Sequence, residues 1–238
     1  MKVNFEKNIE LDFKTNEAYK TLRTNISFAG DDIHVIALTS SVPNEGKSAV
    51  SFNLAKALAE DGKRVLYVDA DIRKSVTIAR YGVDIETKGL THYLSGQAEL
   101  KDVVYDTNVE NLSIIFTGQV APNPAELLGN DRFKSMLAVE RETYDYIIID
   151  CPPLGSVIDA AIVAKESDGA ITVIETDNVS YKIVQRVKKQ LEQSGCRILG
   201  AVLNKVEMGG KGYGYYGKGY YGRYYGTYGD YGNDKTSE

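Results

Sequence analysis

Residues 40–48 read Ser-Ser-Val-Pro-Asn-Glu-Gly-Lys-Ser, directly after the apolar run Ile33–Thr39 and directly before a helical pattern. Gly46-Lys47-Ser48 has the form of the end of a phosphate-binding loop. Pro43, Asn44, Glu45, Gly46, Lys47, Ser48 and Ala49 would wrap phosphates with the N–H groups of the loop and helix start. Lys47 would reach the β- and γ-phosphates, and the Ser48 hydroxyl would bind Mg²⁺. Lys47 is expected to be an exposed loop residue that adds little to the core. The first glycine of the usual pattern is Ser41 here, so the strict pattern fails. Asn44 stands where a left-handed residue is plausible, and Asn tolerates that conformation better than most. A lone Gly-Lys-Ser would fit any strand–turn–helix junction; the strand before it and the helix after it favour phosphate.

Two more strand ends carry acid. Val65-Leu-Tyr-Val-Asp-Ala-Asp-Ile-Arg73 ends in carboxylates at Asp69 and Asp71, then an arginine, and Tyr146-Ile-Ile-Ile-Asp-Cys-Pro-Pro153 ends in Asp150. Asp150 occupies the usual position of a carboxylate that holds Mg²⁺ directly or through water. Singly, each aspartate could merely cap a turn. Three of them beside a phosphate loop point to an ATP·Mg²⁺ site, and the pair Asp69 and Asp71 offers a base and a metal ligand in one place.

The elements that position these residues alternate in type. Ile33–Thr39, Arg64–Val68, Leu112–Phe116, Tyr146–Ile149, Ala170–Ile174 and Ile198–Leu203 are short β-branched runs, several apolar on both faces, as covered parallel strands are. Between them lie helical patterns at Asn16–Phe28, Lys47–Glu60 closed by Gly62, Asp131–Glu142, and Val179–Ser194 closed by Gly195. The expected fold is α/β: a doubly wound, mostly parallel sheet of the P-loop NTPase type, with ligands beyond the carboxyl ends of the strands.

The last thirty residues differ from the rest. Nine tyrosines, Tyr213, Tyr215, Tyr216, Tyr220, Tyr221, Tyr224, Tyr225, Tyr228 and Tyr231, alternate with glycines, and no Leu, Ile or Val is present. Residues 1–206 are therefore expected to form the folded domain and 207–238 a flexible tail. A Gly/Tyr-rich segment can also self-associate or stack on single-stranded RNA. Its charges cancel, and the whole chain carries −5, which argues against a nucleic-acid partner. Beside an ATP site, the tyrosines read better as substrate. No apolar run approaches the ~18 residues of a membrane span. The start is charged and lacks a signal-peptide core, and Cys151 and Cys196 form no CxxC pair. A soluble protein of a reducing compartment is expected.

At these residues the chain resembles the bacterial tyrosine kinases of capsular and exopolysaccharide systems, in the Gram-positive form whose cytoplasmic kinase is separate from its membrane activator. The resemblance runs through Glu17-Ala-Tyr-Lys-Thr-Leu-Arg-Thr-Asn25, the phosphate loop, Val-Asp69-Ala-Asp71-Ile-Arg73, Pro122-Asn-Pro-Ala-Glu-Leu-Leu128, Ile149-Asp-Cys-Pro-Pro153 and the tyrosine cluster. It implies that Lys47 binds phosphate, that Ser48 and Asp150 serve Mg²⁺, and that Asp69 and Asp71 act in catalysis and metal binding, Asp69 as base. It implies an oligomer contact through Glu17, Lys20 and Arg23, building a ring of up to eight copies. Lys20 stands for the family's arginine and loses its planar fork. Asn44 stands for the family's glycine. Implied partners are the cytoplasmic tail of a transmembrane activator of the polysaccharide chain-length type, which would recruit the kinase to the inner membrane face, and a cognate tyrosine phosphatase. The implied reaction is ATP-dependent autophosphorylation of the tail in trans, regulating polysaccharide synthesis and export.

The weaker signals read as follows. Asn204, after the last strand, is a candidate contact to the nucleotide base, with a turn-forming role as the alternative. Arg73 is read first as a salt-bridge partner, Asp159 as a helix cap, His34 and His92 as structural, and Cys151 as a buried small residue. The competing function is a non-kinase ATPase switch of the septum-positioning or partition type. That type carries a lysine four residues before the Gly46 position, where this chain has Val42. An iron–sulfur carrier ATPase would need a cysteine pair.

Overall fold

The apolar runs of the sequence become the strands of one sheet. In the computed structural model, which describes residues 1–7, 10–83 and 87–206, seven strands pair among the described residues in the order β3-β4-β2-β5-β1-β6-β7. They are β1 (Val35–Ser40), β2 (Val65–Asp69), β3 (Val104–Asp106), β4 (Leu112–Ile115), β5 (Tyr146–Asp150), β6 (Gly169–Glu175) and β7 (Ile198–Asn204). All neighbours are parallel except β3 against β4. The compact unit is Met1–Asn204. The tyrosine cluster and its expected tail lie outside the described residues.

Period-two alternation sends successive side chains to two separate cores. Val35, Ala37, Leu66, Val68, Ile147 and Ile149 face one. Helices α4 (Leu90–Leu94), α5 (Pro124–Leu128), α6 (Asp131–Glu140), α7 (Asp159–Lys165) and α8 (Tyr181–Gln193) pack there. Ile36, Leu38, Val65, Tyr67 and Ile148 face the other, under α1 (Phe13–Ser27), α2 (Lys47–Glu60) and α3 (Thr77–Tyr81). Each fully buried Ile or Leu contributes about 1.5–3 kcal/mol of apolar transfer, so the central strands anchor the site rigidly.

The helix boundaries follow their caps. The α2 sequence is rich in Ala and Leu, and it ends where Gly62 takes a φ of 81° and its N–H closes on Ala59 O at 2.9 Å. Helix α1 begins three residues earlier than its apolar pattern suggested, because the Asp12 carboxylate caps the Thr15 N–H at 3.0 Å. Strand β3 escaped the sequence reading: three residues are too few to show an alternation. The chain leaves β1 for β2 on one side and returns through β5 to β6 on the other. The loop after β1 therefore lies where the strand order reverses, the place for a ligand in such a sheet.

Candidate functional site: a phosphate loop beside three carboxylates

The loop between β1 and α2 turns through two left-handed residues, Asn44 at φ 70° and Gly46 at φ 87°. A Cβ on Gly46 would lie 2.1 Å from Asn204 Nδ2, so both backbone and packing demand glycine there. Gly46 opens α2 and the Val50 N–H bonds its carbonyl at 3.0 Å. The amides of Lys47, Ser48 and Ala49, in the first turn, have no acceptor within the helix, and the helix dipole adds partial positive charge there. This is an anion site made of backbone.

Lys47 is not the exposed loop residue that the sequence suggested; it is only 8% exposed. Its Nζ lies 3.0 Å from Asp71 Oδ2, 3.7 Å from Asp150 Oδ1 and 3.2 Å from Ser48 Oγ. Burial works against its charge, but Asp150 and Asp71 outweigh that and hold it above the ordinary lysine value. The sheet register assembles the acids: Asp69 and Asp150 are paired positions on adjacent parallel strands. Asp150 also accepts from Ser51 Oγ at 2.9 Å, one helical turn after Lys47. Nothing in the sequence marked Ser51 as part of the site.

Asp69 is 1% exposed, and its oxygens accept from Ser75 Oγ at 2.5 Å and the Asp71 N–H at 3.3 Å. Burial, then the neighbouring charge of Asp150, pushes its carboxyl up to about 7. Between pH 4 and 7 the folded protein thus holds a proton that the unfolded chain has released, so this residue's contribution to stability falls as pH rises. Asp69→Asn should therefore raise the melting temperature of the nucleotide-free protein at pH 8 by several degrees, and much less at pH 5. Melts followed by circular dichroism in a metal chelator check this; an equal shift at both pH values contradicts it.

Arg73 makes a bidentate pair with Asp159, 2.6 Å from Nε and 2.9 Å from Nη2, and Asp159 is wholly buried. Arg73 is thus the salt-bridge partner it was read as. Asp159 is not a cap: it is the first residue of α7, Ile158 precedes it as the N-cap, and its carboxylate serves the arginine. The pair ties the segment after β2 to the start of α7 at the site's rim. Cys151 is buried, and burial, then Asp150, raises its thiol well above the usual value, so it is not a nucleophile.

Glu45 and Asn204 also make contacts that spacing does not show. The Glu45 carboxylate is fully buried and accepts backbone N–H groups rather than facing outward, while Pro43 and Asn44 are exposed. Asn204 Nδ2 donates to the Glu45 carbonyl at 2.9 Å, so that donor is engaged by the loop. Of the three expected oligomer residues, Glu17 and Lys20 pair with each other on α1 at 2.6 Å. Arg23 reaches Ala57 O and Asp61 Oδ1, both at 3.0 Å, and fastens α1 to the end of α2.

The donor set suits Mg²⁺. Ser48 and Asp150, with Asp71 nearby, offer hard oxygen ligands. Among the described residues no group of three or more His, Cys, Asp or Glu is placed to hold a metal, so the ion would take phosphate oxygens and water for the rest of its shell.

A phosphate loop feeding a helix N-terminus, beside acids at the ends of parallel strands, defines a P-loop NTPase. Residues 33–198 match the family model described as an AAA domain. The chain is 44% identical over 204 residues to the tyrosine-protein kinase CpsD of Streptococcus agalactiae, covering 86% of this chain and 89% of that one. Its structure superposes on the kinase domain of the Escherichia coli tyrosine kinase ETK with a TM-score of 0.77 and 35% identity, over 84% of this chain and 80% of the other. The septum site-determining protein MinD of Pyrococcus horikoshii, solved with Mg-ADP, matches with a TM-score of 0.62 and 30% identity, over 72% and 70%. The chain belongs to the bacterial tyrosine kinase family.

Proposed function

We propose that the chain is an ATP-dependent protein-tyrosine kinase that phosphorylates the tyrosine cluster of a neighbouring copy and thereby regulates capsular or extracellular polysaccharide synthesis and export. The observation that carries the reading is the Lys47 ammonium held between Asp71 and Asp150, next to Ser48, at the start of α2. Lys47 would exchange its carboxylates for the β- and γ-phosphates, and the amides of Gly46 to Ala49 would surround them. Ser48, Asp150 and Asp71 would hold Mg²⁺, which when bound neutralises phosphate charge.

A tyrosine phenol, with a pKa of about 10, is a poor nucleophile until its proton has somewhere to go. Asp69 is the proposed acceptor, since burial and Asp150 have already raised its proton affinity. The phenol proton passes to Asp69, the phenol oxygen bonds to the γ-phosphorus, and the bond from that phosphorus to the bridging oxygen breaks, releasing ADP.

The proposed assembly is a ring of copies in contact through Glu17, Lys20 and Arg23, recruited to the inner membrane face by a transmembrane activator and reversed by a tyrosine phosphatase. No helix among the described residues is long and apolar enough to cross a membrane. The intact mass after incubation with ATP and Mg²⁺ tests the reading, with and without the activator's cytoplasmic fragment. Additions of about 80 Da per phosphate, more numerous with the fragment, are expected. Hydrolysis of ATP with no mass added in either arm would instead support a switch of the septum-positioning type.

A further inference from the structure

Glu45 is the odd residue of the phosphate loop. A loop built to bind anions holds a buried carboxylate of its own. Its Oε2 accepts the N–H groups of Ser41 and Val42 at 2.6 and 2.8 Å, and its Oε1 accepts the Glu175 N–H, at the end of β6, at 3.1 Å. The same residue is gripped through its main chain, since Asn204 Nδ2, at the end of β7, donates to the Glu45 carbonyl at 2.9 Å. The circuit closes between the two strand ends: the Thr176 N–H and Oγ1 both donate to the Asn204 carbonyl, at 3.1 and 3.2 Å. Gly46 completes it, because any larger residue would collide with the Asn204 amide.

We infer that Glu45 and Asn204 form a brace that holds the phosphate loop in its binding shape before nucleotide arrives, which makes both of them positioning residues. Hydrogen bonds to a carboxylate are roughly twice as strong as neutral ones, and three of them keep this charge satisfied in the interior. The internal carboxylate occupies the amides at the start of the loop. The later amides, from Gly46 to Ala49, are thereby left for the ligand. It also supplies a fixed backbone where Ser41 replaces the usual first glycine. A loop held in advance loses less conformational freedom on binding, so the brace acts on nucleotide affinity. It leaves the chemical step to Lys47 and the aspartates.

The inference rests on the loop being a phosphate site, and calorimetry with two probes, Mg·ADP and inorganic tripolyphosphate, separates the two claims. The full chain is compared with Glu45→Gln, Glu45→Ala and Asn204→Ala. Glutamine keeps one acceptor oxygen but sets an amide N–H₂ against a backbone N–H, which breaks one side of the brace. Dissociation constants for both probes should rise by about tenfold in Glu45→Gln and Asn204→Ala, and further in Glu45→Ala. KM for ATP should rise in step, while kcat at saturation stays within about threefold of wild type. The Glu45→Ala/Asn204→Ala double variant should lose less than the product of the single losses, since both break one unit. If Glu45→Ala does not fold, Glu45→Gln with Asn204→Ala supplies the same comparison. Unchanged affinity in Glu45→Gln, or a loss confined to kcat, overturns the brace. A loss in Asn204→Ala for ADP but not for tripolyphosphate also overturns it and makes Asn204 a base contact. A wild-type chain that binds neither probe overturns the phosphate site itself.

Discussion

Lys47→Met is expected to lower phosphotyrosine formation by at least about a hundredfold, the scale of removing one preorganised charge from a transferring group. The substitution does more than take a phosphate ligand away. Lys47 Nζ is the cation 3.0 Å from Asp71 and 3.7 Å from Asp150, and Asp69 stands beside Asp150 in register. Without it the three carboxylates lose the opposing charge of Lys47, and Asp69, whose proton affinity burial and Asp150 already raise, holds its proton more tightly. The variant should therefore melt near the wild-type temperature at pH 5.5 and well below it at pH 8, in the absence of metal. Phosphotyrosine content and circular dichroism melts at both pH values check the two halves. Full phosphorylation by a folded Lys47→Met protein sinks the assignment of this loop, and a pH-independent melting difference sinks the charge argument.

The second large effect concerns the tail. When Lys47→Met protein that keeps its tyrosines is mixed with active protein truncated after Met208, the inactive chain should become labelled. The Gly/Tyr stretch, residues 209–232, is 24 residues long, and a random coil of that length spans about 25–30 Å root-mean-square. Fully extended it reaches ~80 Å, enough for a neighbour's active site. Each phosphate adds roughly −1.5 to −2 charges, so four turn a tail of balanced charge into one carrying about −6 to −8. Such tails repel one another and the acidic site, so the particle measured by light scattering should shrink after ATP is added. An unlabelled Lys47→Met chain, with wild type labelling itself at every dilution, means that the reaction runs in cis. An unchanged particle after extensive phosphorylation rules out release by charge.

The sequence by itself determined every described strand but β3, the phosphate loop and the acids at the strand ends, because those signals are local. Alternating apolar residues must face two cores, Gly46-Lys47-Ser48 before an Ala-rich helix makes an anion site, and Asp69 and Asp150 end their strands, with Asp71 two residues after β2. Even the left-handed Asn44 was readable, since few other side chains tolerate that backbone. Tertiary structure alone decided what these groups do to each other. Strand order and register put Asp69 beside Asp150, which raises the proton affinity of Asp69. Packing buried Lys47, which a loop position had suggested was exposed, and joined Arg73 to Asp159 across 86 positions. It also turned the Glu45 carboxylate inward and brought Asn204 to the Glu45 carbonyl across 159 positions. Contacts between residues so far apart in the chain leave no trace in spacing or composition, because they depend on which strands the sheet makes neighbours.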